Sequence, residues 1–172
     1  GVARGVTVTV AVADGNEADE RLSTRNVSVW ENRTEAYTFG LASRPTAPVT
    51  VNTSGSNGDF VVRPGELVFS AATGQRWPNA TAEGYPRHTV FVHGSHDWLD
   101  EPVEHYVIEH VCYSEDPFYN EMPVLHIEVD VLSDDVSRVD LRSHNLTVEE
   151  GGVAVNDIVL ACEPLANVTV TV

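Results

Sequence analysis

The chain of 172 residues contains no lysine, only two cysteines and no long hydrophobic run. Its Lys+Arg count of 10, all of it arginine, stands against 26 acidic residues, so the formal net charge is -16. A basic groove cannot be assembled from this composition, and the negative field repels nucleic acid and anionic membranes. No apolar stretch approaches the roughly 20 residues that a membrane-spanning helix needs. We therefore expect neither nucleic acid nor a membrane as a partner.

The sequence also lacks the motifs of the common hydrolases. Ser95 and Cys112 have histidines nearby, but no nucleophile elbow or oxyanion-forming glycine loop accompanies them. His93 and His96 form the best local histidine cluster, at a strand end and the following turn, where two rings need not converge on a zinc ion. We expect no catalytic residues and no enzymatic activity.

What the chain does contain is an internal repeat. Residues 6–53 align with residues 125–172 without a gap at a constant offset of 119, and 13 of the 48 aligned pairs are identical. Self-similarity at a fixed period is typical of arrays of one structural unit.

The phase of the repeat divides the chain into five segments. One complete domain occupies residues 22–132. It is flanked by acidic linkers at 14–21 and 133–140, which occupy the same repeat position. Residues 1–13 are interpreted as the terminal strand of a preceding repeat, and residues 141–172 as the first strands of a following one. The chain is then either a window of a longer tandem protein or a subunit that its neighbours complete.

Short runs with period-two alternation predict an all-β fold. The runs are separated by Gly, Pro, Asn and Asp clusters, and their length and spacing indicate an immunoglobulin-like antiparallel β-sandwich with seven or eight strands per domain. In the run 36–43 the alternation directs Tyr37, Phe39 and Leu41 towards the core, and Ile158 and Leu160 match the last two of them one repeat later.

The two ends of the chain are open β edges under this interpretation. Proteins rarely leave such edges unpaired, because their free backbone groups are templates for another strand. We expect residues 6–13 or 168–172 to add to a strand of a neighbouring domain or of another copy of the chain.

Asparagine-linked glycosylation is the strongest chemical signal. Six of the ten asparagines begin an N-x-[ST] sequon without proline at the middle position, far more than chance supplies, although a Thr-rich β protein can also generate sequons passively. A glycan is bulky and hydrophilic, so each modified asparagine must face solvent. The pattern predicts a secreted glycoprotein. The candidate sites are Asn26, Asn32, Asn52, Asn79, Asn145 and Asn167.

The order of segments resembles a known group of repeats. The complete domain resembles the tandem Ig-like and Calx-β-like repeats of large extracellular glycoproteins, including mastigoneme-type filament proteins. The resemblance is carried by PGELVFSAA, a Trp-Pro turn, the long segment HTVFVHGSHDWLDEPVEHYVIEHVCYSEDPFYNE and an Asp-Asp linker. The NLTVEEGG start of the second unit is similar to the same repeats. The resemblance implies an extracellular scaffold and no catalysis. Among the possible functions we favour a structural subunit of an extracellular filament or surface appendage, assembled with other copies of itself.

Related repeats often carry calcium at the poles of their domains. Calcium is bound by carboxylates, carbonyls and water, so clustered acids on loops are suitable ligands, although acidic turns are also ordinarily solvated. We expect no required cofactor and treat calcium as the candidate ligand. The candidate acids are Asp97, Asp100 and Glu101 in one turn, and Asp134 and Asp135 in the second linker.

The two cysteines fall in different units. Cys112 lies near the end of a late strand of the complete domain, whereas the first core cysteine of an immunoglobulin fold is replaced there by Ser43, the repeat counterpart of Cys162. A disulfide demands Cα atoms within about 7 Å. A bond between Cys112 and Cys162 would therefore join neighbouring subunits or a folded-back domain pair, and a buried thiol at Cys112 is the alternative.

Two other functions stay open. An adhesin or carbohydrate-binding surface module would use the tryptophans Trp30, Trp77 and Trp98 as a sugar platform, although we expect these residues to pack in the core or between domains. An ancillary domain of a secreted enzyme would be followed by catalytic sequence.

Overall fold

The computed structural model describes residues 18–70 and 86–171, and its architecture is all β. Nine strands form two sheets, and two further strands form a separate ladder. Over the described ranges no helix is long and apolar enough to cross a membrane. The strands are β1 (Glu20–Leu22), β2 (Asn26–Trp30), β3 (Thr34–Leu41), β4 (Val49–Ser54), β5 (Phe60–Arg63), β6 (Glu66–Phe69), β7 (Arg87–Gly94), β8 (Glu104–Ser114), β9 (Ile127–Leu132), β10 (Val139–Leu141) and β11 (Ile158–Leu160).

The two large sheets have a mixed topology. The first has the order β1-β3-β7-β5 and is antiparallel throughout. The second has the order β2-β9-β8-β4-β6, in which only the β2–β9 pair is parallel, with Asn26 opposite Glu128 and Trp30 opposite Leu132. The predicted immunoglobulin-like sandwich is confirmed. In the described part of residues 22–132 eight strands, β2 to β9, belong to it, and the ninth, β1, begins in the segment predicted as a linker.

The core lies between the two sheets and is formed by alternate residues of each strand. Period-two alternation sends every second side chain inward, so β2 buries Val27 and Val29 and exposes the residues between them. The predicted inward residues Tyr37, Phe39 and Leu41 are all buried, which confirms that prediction. Fully burying side chains of this size stabilises the fold by roughly 1.5–3 kcal/mol each.

The tryptophans do not belong to this core. Trp30 is 51% exposed and Trp98 is 63% exposed, so neither packs in the core, and contact between domains stays a prediction for both. The reason for Trp30 is its parity: Val27 and Val29 take the inward positions of β2, so Trp30 falls on the outer face. Trp77 lies outside the described residues.

A corner of hydrogen bonds closes one end of the sandwich. The buried Tyr119 hydroxyl donates to the carbonyl of Ser43 at 2.7 Å. The Asp116 carboxylate accepts the backbone N–H of Thr46 at 2.7 Å and its hydroxyl at 2.9 Å. Burial on its own raises the pKa of Asp116, but the hydrogen bonds from Thr46 and from the N–H of Phe118 outweigh it, and the net pKa is lowered.

The second unit repeats one strand pairing of the first. In the β1–β3 ladder Glu20 lies opposite Leu41, and in the β10–β11 ladder Val139 lies opposite Leu160. Both partners are displaced by the sequence offset of 119. These two short ladders were not predicted, because β1 begins inside the segment 14–21 and β10 inside the segment 133–140, and neither three-residue strand shows a clear apolar alternation.

The turn after β2 also recurs. Asn32 has a left-handed backbone with φ of 53°, and the residue one repeat later, Gly151, has φ of 77°. Asparagine and glycine are the residues that tolerate this conformation best. The same backbone hydrogen bond closes both turns, from Arg33 N to Trp30 O at 3.1 Å and from Gly152 N to Glu149 O at 2.8 Å.

The buried His110 generates a prediction about acid stability. It lies on the inward face of β8, with its Nε2 2.8 Å from the Tyr37 hydroxyl, and burial lowers its pKa from 6.5 to about 4. Between pH 6.5 and about 4, His110 is therefore protonated in the unfolded chain and neutral in the folded chain. Full stability is present above pH 6.5, and roughly 2–3 kcal/mol is lost as the pH falls to about 4.

Denaturant unfolding between pH 7 and pH 4.5 measures this loss. The His110→Gln variant should show a shallower decline than the parent chain, whereas His126→Gln, at an exposed position, should keep the parental slope. Equal slopes for all three proteins would contradict the assignment.

Candidate metal centre

Three strand ends meet at one pole of the sandwich. β2 ends at Trp30, β7 ends at Gly94 and β9 ends at Leu132. The N–H of Glu31 donates to the carbonyl of Leu132 at 2.9 Å, which ties the turn after β2 to the second sheet. The N–H of Asn32 donates to the carbonyl of Gly94 at 3.0 Å, which ties the same turn to the first sheet.

Gly94 of β7 lets the backbone of Trp30 and Glu31 pack directly against it because glycine has no side chain. A Cβ atom at this position would lie 2.5 Å from the carbonyl oxygen of Trp30 and 3.1 Å from the Cα of Glu31. Both contacts are with backbone, which cannot swing aside as a flexible side chain does. The absence of a Cβ therefore places Glu31 directly against β7, at the mouth of the pole.

Glu31 is a buried acid that lacks a hydrogen bond on one oxygen. Its exposure is 5%, and among the described residues its Oε2 has no hydrogen-bond partner. The Nδ1 atom of His96 is 3.5 Å from that oxygen and also 3.5 Å from Oδ1 of Asp134. Buried polar atoms are almost always paired, because leaving one unsatisfied costs about 1–3 kcal/mol or more for a charged group. The pole is therefore short of positive charge.

Several further acids converge on Glu31. One ligand atom each from Glu31, His96, Asp134 and Asp135 lie within 4.8 Å of one another, and a second such group is formed by Glu31, Asp97 and Glu101. We call these six residues the acidic pole. One Asp135 oxygen, Oδ2, is also buried without a hydrogen bond in the described chain. Carboxylate oxygens in this density are the ligands that hard divalent cations prefer.

The electrostatics of the acidic pole reflect this crowding. Burial raises the pKa of Glu31, the nearby Asp97 raises it further, and the neighbouring His96 ring opposes both. Burial also raises the pKa of Glu101, with additional contributions from Glu104 and Asp97. A neighbouring cation would act in the opposite direction, because it favours the ionised carboxylates.

Hydrogen bonds fix the loops that carry these acids. The Asp97 carboxylate accepts the N–H of Leu99 at 2.7 Å, and the Ser133 hydroxyl donates to the carbonyl of Leu99 at 2.9 Å. The N–H of Ser95 donates to the carbonyl of Asp59 at 2.8 Å. The loop 95–101 and the start of the linker are thus held together before any ligand is present, which lowers the entropy cost of binding.

Four of the five acids proposed from the sequence are brought together here: Asp97, Glu101, Asp134 and Asp135. The fifth, Asp100, points to the linker, where it accepts the N–H of Ser137 at 2.7 Å, and hydrogen bonds from Ser137 lower its pKa. Glu31 was not anticipated, and His96 was considered only with His93 as a zinc cluster. The one sequence signal for Glu31 was its identity with Glu150 at the same repeat position.

The loop of the acidic pole also contacts the second unit. The carbonyl of Trp98 accepts the N–H of Glu163 at 2.6 Å, and Leu99 forms a parallel bridge with the same residue. The Trp98 ring meets the His96 ring at a centroid distance of 5.0 Å. Ligands at the pole would therefore lie next to the contact between the two units.

The sequons lie where a glycan can be attached. The asparagines described at these positions, which are Asn26, Asn32, Asn52, Asn145 and Asn167, are all exposed. The Asn26 amide donates to Glu128 Oε2 at 2.8 Å. Asn79 lies outside the described residues.

The two cysteines occupy different environments. Cys112 is fully buried in β8, and burial raises the pKa of its thiol to about 11. Cys162 is half-buried, and its Sγ lies 3.5 Å from the Ser137 hydroxyl. Both thiols are free in the single chain. A bridge between two copies or two units stays a prediction.

Neither a protein-family profile nor a curated protein matches the sequence. Similar solved structures include a chain from the chaperone–tip adhesin complex of CFA/I fimbriae biogenesis. The identity is 11% and the TM-score is 0.43, and the match covers 83% of this chain and 66% of the other. The class 5 fimbriae chaperone CfaA is similar at 10% identity and a TM-score of 0.42, with the same coverage. The chain thus spans just under two thirds of the length of these proteins, and a likeness at this level says nothing about function.

The Gly94→Ala variant tests the construction of the pole. The new methyl group would push the Trp30–Glu31 backbone away, and we expect overpacking to cost about 1–3 kcal/mol in the free energy of unfolding. Gly65→Ala is the matched control, because a Cβ there meets nothing within 4 Å. Chemical denaturation of both variants gives the comparison, and equal stabilities would refute the close approach.

Proposed function

We propose that this chain is a structural subunit of an extracellular, N-glycosylated filament or surface appendage, in which β-sandwich repeats are joined end to end. The observation that carries the proposal is the recurrence of the β1–β3 pairing in β10–β11 at the sequence offset of 119. A chain that forms the same ladder twice, in the same register, is suited to an array of identical units.

A cation bound at the acidic pole would stiffen the junction between neighbouring repeats. We assign it to calcium, because carboxylates outnumber the single imidazole and because the second ligand group contains carboxylates alone. A bound cation would connect the turn after β2, the loop 95–101 and the linker after β9. Since that loop also contacts Glu163 of the second unit, the ion would brace the junction between repeats.

The remaining parts of the proposal concern location and partners. The exposed sequons support secretion, because oligosaccharides are added to solvent-facing asparagines of secreted proteins. The partners are N-linked glycans and further copies of the same repeat. We propose no catalytic role.

A carbohydrate-binding adhesin module is a second candidate, favoured by the exposed rings of Trp30 and Trp98. Aromatic faces open to solvent are suited to stacking on sugars. Binding to an array of oligosaccharides, with loss of binding in Trp98→Ala, would favour this function over the structural one.

Calcium binding is predicted to stabilise the chain. At a free calcium concentration about 100 times the dissociation constant, the gain in the free energy of unfolding should be about 2.7 kcal/mol. Glu31→Gln should be more stable than the parent chain in chelator, because it removes the charge of a buried carboxylate that is surrounded by other acids, and it should respond weakly to calcium.

Thermal unfolding in calcium, magnesium, zinc and chelator is the measurement. Glu66→Gln, on the outer face of β6, is the control and should behave as the parent chain does. A response to zinc alone would overturn the calcium assignment, and no response to any of the three ions would overturn the site.

Glycosylation is predicted at most of the six sequons when the chain is secreted by a eukaryotic host. Asn26 and Asn145 should carry glycans of the same class, because the turn that precedes them is built alike, with Thr24 and Ser143 hydroxyls donating to the asparagine carbonyls at 2.9 Å and 2.6 Å. Glycopeptide mass spectrometry provides the test. Six unmodified asparagines would remove the main support for an extracellular location.

A further inference from the structure

The outer face of the second sheet carries a sequon between two strands. Val51 of β4 is fully buried. The alternation of the strand therefore turns Thr50, Asn52 and Ser54 to the outer face. Asn52 is the acceptor of a sequon whose hydroxyl residue is Ser54, and β4 lies between β8 and β6 in the sheet. The Asn52 amide thus points to solvent with a paired strand on each side.

Exposed apolar side chains surround this sequon. Directly opposite Asn52 in β8 lies Val111. At the next outward position along the strands, Tyr113 of β8 and Val68 of β6 lie on either side of Thr50. Val68 is 47% exposed, Val111 is 39% exposed and Tyr113 is 48% exposed. We call these three residues the apolar patch.

The ladder register places the apolar patch within reach of a sugar on Asn52. Residues directly opposite each other in an antiparallel pair have Cβ atoms about 4.5–5.5 Å apart, and diagonal neighbours are about 7–8 Å apart. Val111 is the direct neighbour of Asn52, and Tyr113 and Val68 are its diagonal neighbours. The first sugar joined to the Asn52 amide therefore starts beside all three side chains.

The apolar patch suits the first sugar of an N-linked glycan. That sugar is N-acetylglucosamine, whose ring C–H groups and acetyl methyl are apolar and whose hydroxyl and acetamide groups are polar. The apolar parts can cover the solvent-facing Tyr113 ring and the Val111 side chain. The polar parts can donate hydrogen bonds to the carboxylates of Glu66 and Glu109, which lie opposite residues of the sequon in the two flanking strands.

We propose that the N-linked glycan of Asn52 packs on the apolar patch and stabilises the complete domain. The occupant of the patch is the chain's own glycan and not a protein partner, because a protein surface laid flat on this face would collide with a sugar at Asn52. This inference rests on the glycosylation in the proposed function. It adds to that function a structural role for one of the six sequons.

The sequon at Asn26 provides a matched comparison, because it lies on the same outer face in polar surroundings. Its amide donates to Glu128 Oε2 at 2.8 Å, and Glu128 is also its ladder neighbour in β9. β2 is the edge strand of the described sheet, with β9 as its ladder partner there. A glycan on Asn26 therefore starts beside a carboxylate, and it should stabilise the domain less than a glycan on Asn52.

Thermal unfolding of the chain secreted by a eukaryotic host tests the proposal. Ser54→Ala removes the hydroxyl residue of the sequon and keeps both Asn52 and the apolar patch. This variant should lose about 2–4 °C in Tm, because the patch is returned to water. Ser28→Ala, which removes the sequon of Asn26 in the same way, should melt within about 1 °C of the parent chain.

Two controls separate the sugar from the side chains. Produced in a bacterial host without glycans, Ser54→Ala and the parent chain should melt at the same temperature. In the secreted double variant Val111→Thr with Tyr113→Ser, adding Ser54→Ala should cause little further loss in Tm, because the surface that the glycan covers has been removed. An equal loss in Tm with and without glycans would assign the effect to the serine and overturn the inference.

Glycopeptide mass spectrometry of the same samples separates two kinds of failure. An occupied Asn52 whose loss leaves the Tm unchanged overturns the packing and leaves the proposed function in place. A bare Asn52 on a chain that is glycosylated elsewhere does the same. Six bare asparagines overturn the secreted glycoprotein itself, and the packing with it.

Discussion

The contact of Gly94 with the backbone of Trp30 and Glu31 is the constraint on which the acidic pole depends. One turn is tied to the second sheet through Leu132 and to the first sheet through Gly94, so the ends of β2, β7 and β9 occupy a common site. Because no side chain separates the strands there, the Glu31 carboxylate is buried at the mouth of the sandwich. The loop acids then surround a group that has already lost much of its hydration, and the absence of lysine leaves arginine and histidine as the side chains that could neutralise it.

Alternation along the strands made the sandwich predictable, because the side-chain period of a strand is two and its apolar residues must face one way. The inward positions of Tyr37, Phe39 and Leu41 follow from that period alone. Glu31 could not be found in the same way. Its burial results from a turn, a strand end and a linker that lie far apart in sequence. The local sequence around Glu31 is typical of a surface turn and contains a sequon. The short strands β1 and β10 were not predicted for a related reason, since three residues are too few to display a period.

The repeat links the two halves of the structure. Equal ladder registers at Glu20–Leu41 and Val139–Leu160, and equal left-handed turns at Asn32 and Gly151, indicate that residues 139–171 begin the same sandwich again. Their apolar side chains are exposed because the strands that cover the equivalent residues in the first unit have no counterpart in the described part of the second. The sequence offset and the burial pattern thus both indicate that residues 139–171 begin a second sandwich of the same kind.

The parallel pairing of β2 with β9 has a mechanical consequence. The chain enters this ladder at Asn26 and leaves it at Leu132, at opposite ends of two strands that run the same way. A tension applied along a string of such units pulls the two strands past each other lengthwise, so the ladder is loaded in shear and its hydrogen bonds share the force together. An antiparallel hairpin pulled from its two ends would open one bond at a time, like a zipper. The order of strands at this edge therefore gives the complete domain a resistance to stretching that its equilibrium stability does not measure.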